Sequence, residues 1–407
     1  LATRPVPAAT ATPAASRKLS RRFLSLQDFE SAARRHLPRP VFGYVHGAVE
    51  DGSSERDNRA AFAQYGFKPR VLVDVSTRSQ DVELFGHRYA SPVGIAPMGI
   101  SALTAYRGDI VLARAAREAN VPCIMSGSSL IPLEVVMEQA PGTWFQAYLP
   151  GDDAQIAALI DRVEAAGVQT LVLTVDTPTQ ANRENNVRTG FSTPLRPSLD
   201  LAWQGITHPR WLAATFLRTL LKHGMPHFEN NYATRGAPIL SRNVLRDFSD
   251  RGHLSWTHVS RIRDRWKGTM VIKGILDPAD AIRARELGMD GIIVSNHGGR
   301  QLDGAVSPLR VLAGVVEQAG DMAVMFDSGV RRGTDALKAI ALGARCVFIG
   351  RPFNYAASVA GQAGVRHALQ LMRDEVSRDM AMLGITRLHE LDTSYLMRLD
   401  GGVPAAR

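Results

Sequence analysis

Eight short apolar runs, rich in β-branched residues, recur along the chain. They lie at Pro92–Pro97, Val121–Ser126, Trp144–Leu149, Leu171–Asp176, Met270–Gly274, Gly291–His297, Val324–Asp327 and Cys346–Gly350. Runs of four to eight residues are strand-sized. Helical patterns follow most of them. Ile156, Leu159, Ile160 and Val163 repeat at i, i+3, i+4 and i+7 behind Asp152, a suitable N-cap. Ser307 and Pro308 open another helix as N-cap and first helical residue, continued by Leu309, Leu312 and Val316. Strands alternating with helices pair in parallel, and eight of them predict an α/β fold, a (β/α)8 TIM barrel. An open doubly wound sheet is the competitor. It normally carries a glycine-rich dinucleotide turn, yet neither GxGxxG nor GxxxxGK[ST] occurs. Residues 23–90 read as an N-terminal extension of helices with a short hairpin. The stretch 190–250 lacks strand patterning and reads as a long insert after the fourth strand.

Charge sorts the chain further. The formal net charge is +9, but it is unevenly spread. Residues 1–22 contain Arg4, Arg17, Lys18, Arg21 and Arg22 and no acid, and residues 188–246 set eight basic residues against only Asp200 and Glu229. The rest is slightly acidic, so the body is not a nucleic-acid-binding surface. Two basic appendages on a near-neutral body suit anionic lipid. Residues 1–22 read as a disordered tail. Arg21 and Arg22 suggest a twin-arginine signal, but Gln27, Asp28 and Glu30 interrupt any apolar core, so export is not expected. No stretch approaches about 18 apolar residues, so a spanning helix is excluded and the expected location is cytoplasmic, on the inner face of the membrane. Cys123 and Cys346 sit in apolar runs and read as buried thiols, which leaves no cysteine-based metal site.

Within the insert, Trp211 to Lys222 has a helical pattern. At about 100° per residue, Leu212, Ala213, Phe216, Leu217, Leu220 and Leu221 share one face, while Trp211, Thr215, Arg218, Thr219 and Lys222 share the other. A basic amphipathic helix with Trp203 and Trp211 beside it suits a bilayer interface, and equally a lid packed on the protein itself.

In a barrel of this kind the chemistry lies at the C-terminal strand ends. Read in order, those ends are Pro97-Met98-Gly99, Ser126, Gln146 with Tyr148, Thr174 with Asp176, Lys273, Ser295 to Arg300, Asp327, and Gly350-Arg351. Gly329, Arg331, Gly350 and Arg351 close the seventh and eighth runs. Glycines let backbone N–H groups approach a phosphate, a helix N-terminus favours its charge, and the arginines can pair with it. His297 beside Arg300 suits an anionic substrate that loses a proton, the guanidinium fixing a carboxylate while the imidazole acts as base. Asp176 is placed to orient His297. Lys273 suits either a Schiff base or a fixed charge beside an electron-rich ring.

These segments carry a resemblance. The chain is similar to the FMN-dependent L-2-hydroxy acid oxidases and dehydrogenases, which include glycolate oxidase, L-lactate dehydrogenase and mandelate dehydrogenase. The likeness runs from about Phe23 to about Leu399. It rests on Leu-Pro-x-x-Val-Phe-x-Tyr at 37–44, Ala-Pro-Met-Gly at 96–99, Trp-Phe-Gln-Ala-Tyr at 144–148, Leu-Thr-Val-Asp-Thr-Pro at 173–178 and Val-Ile-Lys-Gly at 271–274. Ser-Asn-His-Gly-Gly-Arg-Gln-Leu-Asp at 295–303 and Asp-Ser-Gly-Val-Arg-Arg-Gly at 327–333 complete it. The resemblance implies FMN in the barrel mouth. Its phosphate would lie on Gly329, Arg331, Gly350 and Arg351, and its ring against Pro97, Met98 and Gly99. Ser126, Gln146 and Thr174 would bond the polar edge of the ring, Lys273 would supply positive charge beside it, and Ser295 and Asp327 would complete the cofactor site. Arg183 and Arg300 would grip a substrate carboxylate, with Tyr44 and Tyr148 beside them and His297 as base. Electrons would pass to a quinone or to dioxygen, and the molecule would be a homo-oligomer, a tetramer. Two positions depart from the oxidase pattern. Met98-Gly99 replaces Thr-Ala, which leans toward a dehydrogenase, and Ser128 replaces a large aromatic, which leaves room for a bulkier acid than glycolate.

Overall fold

The structure, a computed structural model, describes residues 19–149, 151–242 and 251–399. All eight apolar runs form strands: β1 Val93–Ile95, β2 Ile124–Ser126, β3 Trp144–Ala147, β4 Thr170–Thr174, β5 Thr269–Ile275, β6 Gly291–Val294, β7 Ala323–Asp327 and β8 Cys346–Ile349. They pair in the order β1-β8-β7-β6-β5-β4-β3-β2, in parallel. A bridge from Ile95 to Cys123 joins the two ends, so the sheet closes and has no free edge.

Alternation along the strands divides the core. Ile124, Val172, Val271, Ile293, Met325 and Phe348 form one cluster that fills the barrel. Their neighbours Leu171, Leu173, Ile272, Ile292, Phe326 and Val347 belong to the larger cluster shared with the surrounding helices. A hairpin, Val82–Leu84 with His87–Tyr89, adds Leu84 and Tyr89 to the inner cluster. There Trp144 Nε1 donates to the Tyr89 hydroxyl at 3.2 Å. The hairpin packs on the N-terminal strand ends, so it closes the face opposite the chemistry.

After the helical Leu19–Arg22, the described residues ahead of the barrel form α1 Leu26–His36, α2 Arg39–His46 and α3 Ser53–Ala63. Prolines at 38 and 40 preset the start of α2, which ends at Gly47 and delivers Tyr44 and Val45 to the barrel mouth. The helix Arg351–Leu383 packs against α1 and against Gly108–Ala119, and it is broken at Ala360 and Gly361. Asp152 caps its helix as expected, accepting from Gln155 N at 2.7 Å. Ser307 occupies its N-cap position, but its hydroxyl makes no cap bond. The tail expected over residues 1–22 falls mostly outside the described residues, and its last part, Leu19 to Arg22, is helical rather than disordered. Phe23 follows it into the core, stacked on Phe29 with centroids 4.2 Å apart.

The insert corrects the expected helix faces. Pro209 to His223 is one helical stretch, but Leu212–Leu217 is wound as a π-helix. Bonding to i+5 turns each residue by less than the assumed angle, so the phase is lost across it. Trp211 and Thr215 are buried, and Trp211 Nε1 donates to Leu103 O at 2.8 Å. Leu217 and Leu221 are exposed instead, as are Leu199, Trp203 and Ile206 of the helix Leu199–Ile206.

Candidate active site

The C-terminal strand ends surround one cavity of about 730 Å³. Pro97, Met98 and Gly99 reach it from β1, Tyr148 from β3, Thr174 from β4 and Lys273 from β5. His297 and Arg300 follow β6, Gly329 and Arg331 follow β7, and Gly350 and Arg351 follow β8. Asp327 also lines it, as do Tyr44 and Arg183 from outside the strands. Ser126, Gln146 and Ser295 are buried behind its wall. Asp176 is held there through His297.

Backbone geometry aims the central groups. A bulge between β5 and β6 falls at Gly274, between the pairs Lys273↔Ile293 and Ile275↔Val294. Gly274 has a φ of +113°, and a Cβ there would lie 2.8 Å from Asp176 Cβ. Only glycine therefore lets β5 pass the carboxylate while Lys273 turns into the mouth. Lys273 Nζ lies 3.0 Å from Asp327 Oδ2 and donates to Ser295 Oγ at 2.8 Å. Burial lowers the lysine pKa, but the carboxylates of Asp327 and Asp176 outweigh it and hold the ammonium above its ordinary value.

His297 Nδ1 lies 2.9 Å and 3.2 Å from the two Asp176 carboxylate oxygens. That pairing places the ring proton on Nδ1 and leaves the Nε2 lone pair facing the cavity, where the Tyr148 hydroxyl is 3.4 Å away. Burial pushes the imidazole below its usual range. Asp176 opposes this, and Lys273 and Arg183 reinforce it. Burial resists ionisation of Asp176, but its interaction with His297, hydrogen bond included, and the Lys273 charge prevail and hold its carboxyl below the usual range. The site therefore keeps a neutral base beside a fixed anion.

The cationic wall is crowded. Arg300 donates to Gly47 O at 2.7 Å and packs over the Tyr44 ring at 5.1 Å. Arg183 donates to Arg300 O at 3.1 Å and to Gln301 Oε1. Burial, with Arg183 and Arg351 nearby, pulls Arg300 down to about 9, a strain that a bound carboxylate would relieve.

The phosphate end differs in detail from the sequence expectation. Gly329 and Gly350 line the cavity as expected. The helix Gly333–Ala341 after β7, however, already has its positive end occupied. Asp335 Oδ2 accepts from Arg331 N at 2.9 Å and Arg332 N at 3.1 Å, and Glu375 Oε2 accepts from Gly333 N at 2.7 Å. The Arg351 guanidinium donates to Val45 O, Gly47 O and Gly298 O at 3.0 to 3.1 Å. Arg331 donates to Val330 O at 2.9 Å, and burial together with Arg351 lowers its pKa. The helix that begins at Arg351 is the one whose N-terminus opens onto the cavity, and it is the better anion site.

These residues fit an FMN. Gln146 Nε2 and Thr174 Oγ1 are buried without a hydrogen-bond partner among the described residues, an arrangement suited to the polar edge of a flavin ring. The Lys273 charge and the open helix end suit the ring and the phosphate respectively.

Sequence reasoning missed several contributors. Phe191 packs on Tyr44 with centroids 4.5 Å apart and the rings tilted by 33°, and Arg251 lies 5.0 Å over the Tyr148 ring. Phe191 comes from the insert and Arg251 lies just after it, where no periodic pattern marks them. Gln301 Nε2 donates to Asp176 O at 3.1 Å, and its place in the His297 segment was the available signal.

Comparison with known proteins agrees with this geometry. The FMN-dependent dehydrogenase family matches residues 33–398. L-lactate dehydrogenase of Pectobacterium atrosepticum is 38% identical over 387 residues, which cover 92% of this chain and 98% of the relative. (S)-mandelate dehydrogenase of Pseudomonas putida is 35% identical over 379 residues, 93% of this chain and 95% of the relative. The crystal structure of a monotopic membrane protein, (S)-mandelate dehydrogenase, superposes with a TM-score of 0.84 at 34% identity, covering 93% of this chain and all of that one. A closed eight-stranded barrel, a flavin-sized mouth and a match over nine-tenths of the sequence converge: the chain belongs to the FMN-dependent dehydrogenase family.

Proposed function

We propose that the protein oxidises a small L-2-hydroxy acid, lactate-like or mandelate-like, to the 2-oxo acid and hands the electrons to a quinone-type acceptor in the membrane. The observation that carries this reading is the His297–Asp176 pair, its unprotonated Nε2 directed at a cavity walled by Arg183 and Arg300. The names of the two dehydrogenase relatives support the substrate class.

The residues divide the work. Arg183 and Arg300 hold the substrate carboxylate, and Tyr44 and Tyr148 line the approach. His297 Nε2 takes one proton from the α-carbon or hydroxyl. Asp176 holds the tautomer and stabilises the imidazolium that forms. FMN, held by Pro97 to Gly99, Gly350 and Arg351, would supply the acceptor for the two electrons and the second hydrogen of the oxidation. Lys273 would place a fixed positive charge beside the cofactor ring. Pro97 to Gly99 supply the remaining wall of the cofactor site, with Ser126 buried behind it.

The insert supports the membrane acceptor. Leu199, Trp203, Ile206, Leu217 and Leu221 are exposed, and the same segment exposes Arg210, Arg218 and Lys222. That combination suits a bilayer interface. No helix among the described residues is long and apolar enough to cross a membrane, so the contact would be peripheral.

His297→Gln tests the reading. The variant should purify with FMN bound, while flavin reduction by L-lactate or (S)-mandelate slows by about a thousandfold or more. Reduction at the normal rate would remove His297 from its role. Admitting air or a soluble quinone to the reduced enzyme identifies the acceptor: slow reoxidation in air that quinone accelerates supports the dehydrogenase, and millisecond reoxidation in air an oxidase.

A further inference from the structure

The turn that presents His297 has a demanding backbone, and the residue that steadies it lies outside the barrel. His297, Gly298 and Gly299 take φ values of +58°, +69° and +71°. Three successive left-handed residues, the first with a side chain, persist only where the surroundings over-determine them.

Asn296 is the first restraint. Its Oδ1 accepts from Gly299 N at 3.2 Å, and its Nδ2 donates to Val306 O at 3.3 Å. Its other bonds go to one residue of α3. Asn58 Nδ2 donates to Asn296 Oδ1 at 2.8 Å, and Asn296 Nδ2 donates to Asn58 Oδ1 at 2.7 Å. Both amides are buried, Asn58 at 1% exposure and Asn296 at 5%. A reciprocal pair of this kind needs a donor and an acceptor on each side, which an apolar or acceptor-only side chain cannot supply.

The backbone of α3 restrains the same turn and its neighbour. A Cβ on Gly299 would fall 2.6 Å from Glu55 N, and one on Gly329, in the loop after β7, would fall 2.3 Å from Asn58 O. Gly298 N donates to Ser328 Oγ at 3.0 Å, which ties the two loops together. The His297 turn and the Gly329 loop thus rest on a single helical turn.

We propose that Asn58 is a positioning residue of the active site. It acts through Asn296 to keep the His297 imidazole aimed at the cavity, and it touches neither substrate nor cofactor. The proposal rests on the reading of His297 as the base.

The test uses the full-length, FMN-loaded protein with Asn58→Ala, the isosteric Asn58→Asp and, in parallel, His297→Gln. Stopped-flow flavin reduction is followed with whichever of L-lactate and (S)-mandelate reduces the wild type, and FMN affinity is measured by fluorescence titration. For Asn58→Ala the saturated reduction rate should fall by about tenfold or more. The substrate and FMN half-saturation concentrations should stay within about threefold, because the Arg183, Arg300 and Lys273 contacts remain. Asn58→Asp still accepts from Asn296 Nδ2, so it should fall between Ala and wild type. A normal saturated rate in either loaded variant overturns the proposal, as does a loss confined to FMN affinity or KM. If Asn58→Ala fails to fold, Asn58→Asp decides by the same criteria. His297→Gln at the wild-type rate would instead sink the base assignment, and this inference with it.

Discussion

The barrel mouth and the insert break the usual burial rule in opposite directions. In the mouth, Lys273, Asp327, Asp176 and His297 are withdrawn from water. In the insert, Leu199 and Leu221 are 91% and 85% exposed. The mouth tolerates its charges because almost every one is paired: Lys273 with Asp327, His297 with Asp176, Arg351 with three carbonyls. Arg300, with two other guanidiniums close by, is where compensation is incomplete. The insert has no such internal compensation for its exposed apolar side chains, and scattered exposure of this kind becomes informative only when it collects on one side. The mouth's departure fits the substrate anion and the flavin of the family, and the insert's is the apolar surface that the proposed membrane contact would cover.

Three perturbations would break or sharpen that contrast. The largest effect should come from the mouth. Lys273→Met leaves Asp327 buried without its cation, at a cost of about 3–5 kcal/mol. Denaturant unfolding should show that loss, and the protein should purify with little flavin. Unchanged stability would mean that water, rather than Lys273, compensates Asp327. The second is a pH profile. His297 must be neutral to accept a proton, and its pKa lies below the ordinary histidine value, so kcat/KM should stay flat down to about pH 6.5. It should decline only below that, approaching tenfold per pH unit as the imidazole protonates. An acid limb above the ordinary value would mean that Asp176 outweighs burial. The smallest change in the folded protein belongs to the insert. Trp203→Glu combined with Leu221→Glu should abolish co-sedimentation with vesicles containing anionic lipid, while unfolding free energy shifts by no more than about 0.5 kcal/mol and kcat is unchanged. Vesicle binding that survives the double substitution would transfer the membrane contact to another surface.

How much could be read in advance follows the same division. The eight strands were legible because each is a short apolar run punctuated by polar residues, and a parallel strand buried on both faces leaves that mark. The site segments were legible because the strand ends are fixed once the strands are known. The helix at 209–223 was legible as a helix but not in its orientation, since a π-helical stretch displaces Trp211 and Thr215 inward. The arginines after β7 and β8 read as phosphate ligands. Glu375, far along the chain on the helix Arg351–Leu383, and the carbonyls of Val45 and Gly47 claim part of that chemistry. Asn58 carried no motif at all.

The sequence by itself determined the barrel, the order of its strands and the set of polar residues at one end, because periodicity and strand-end position are local properties of the chain. Only the tertiary structure decided which of those residues are satisfied by one another, which are left for a ligand, and which turn of α3 supports the His297 loop. Hydrogen bonds such as Asn58–Asn296 and Gly333–Glu375 join residues separated by 238 and 42 positions. Their formation depends on how the helices pack around the closed sheet, and no local pattern encodes it.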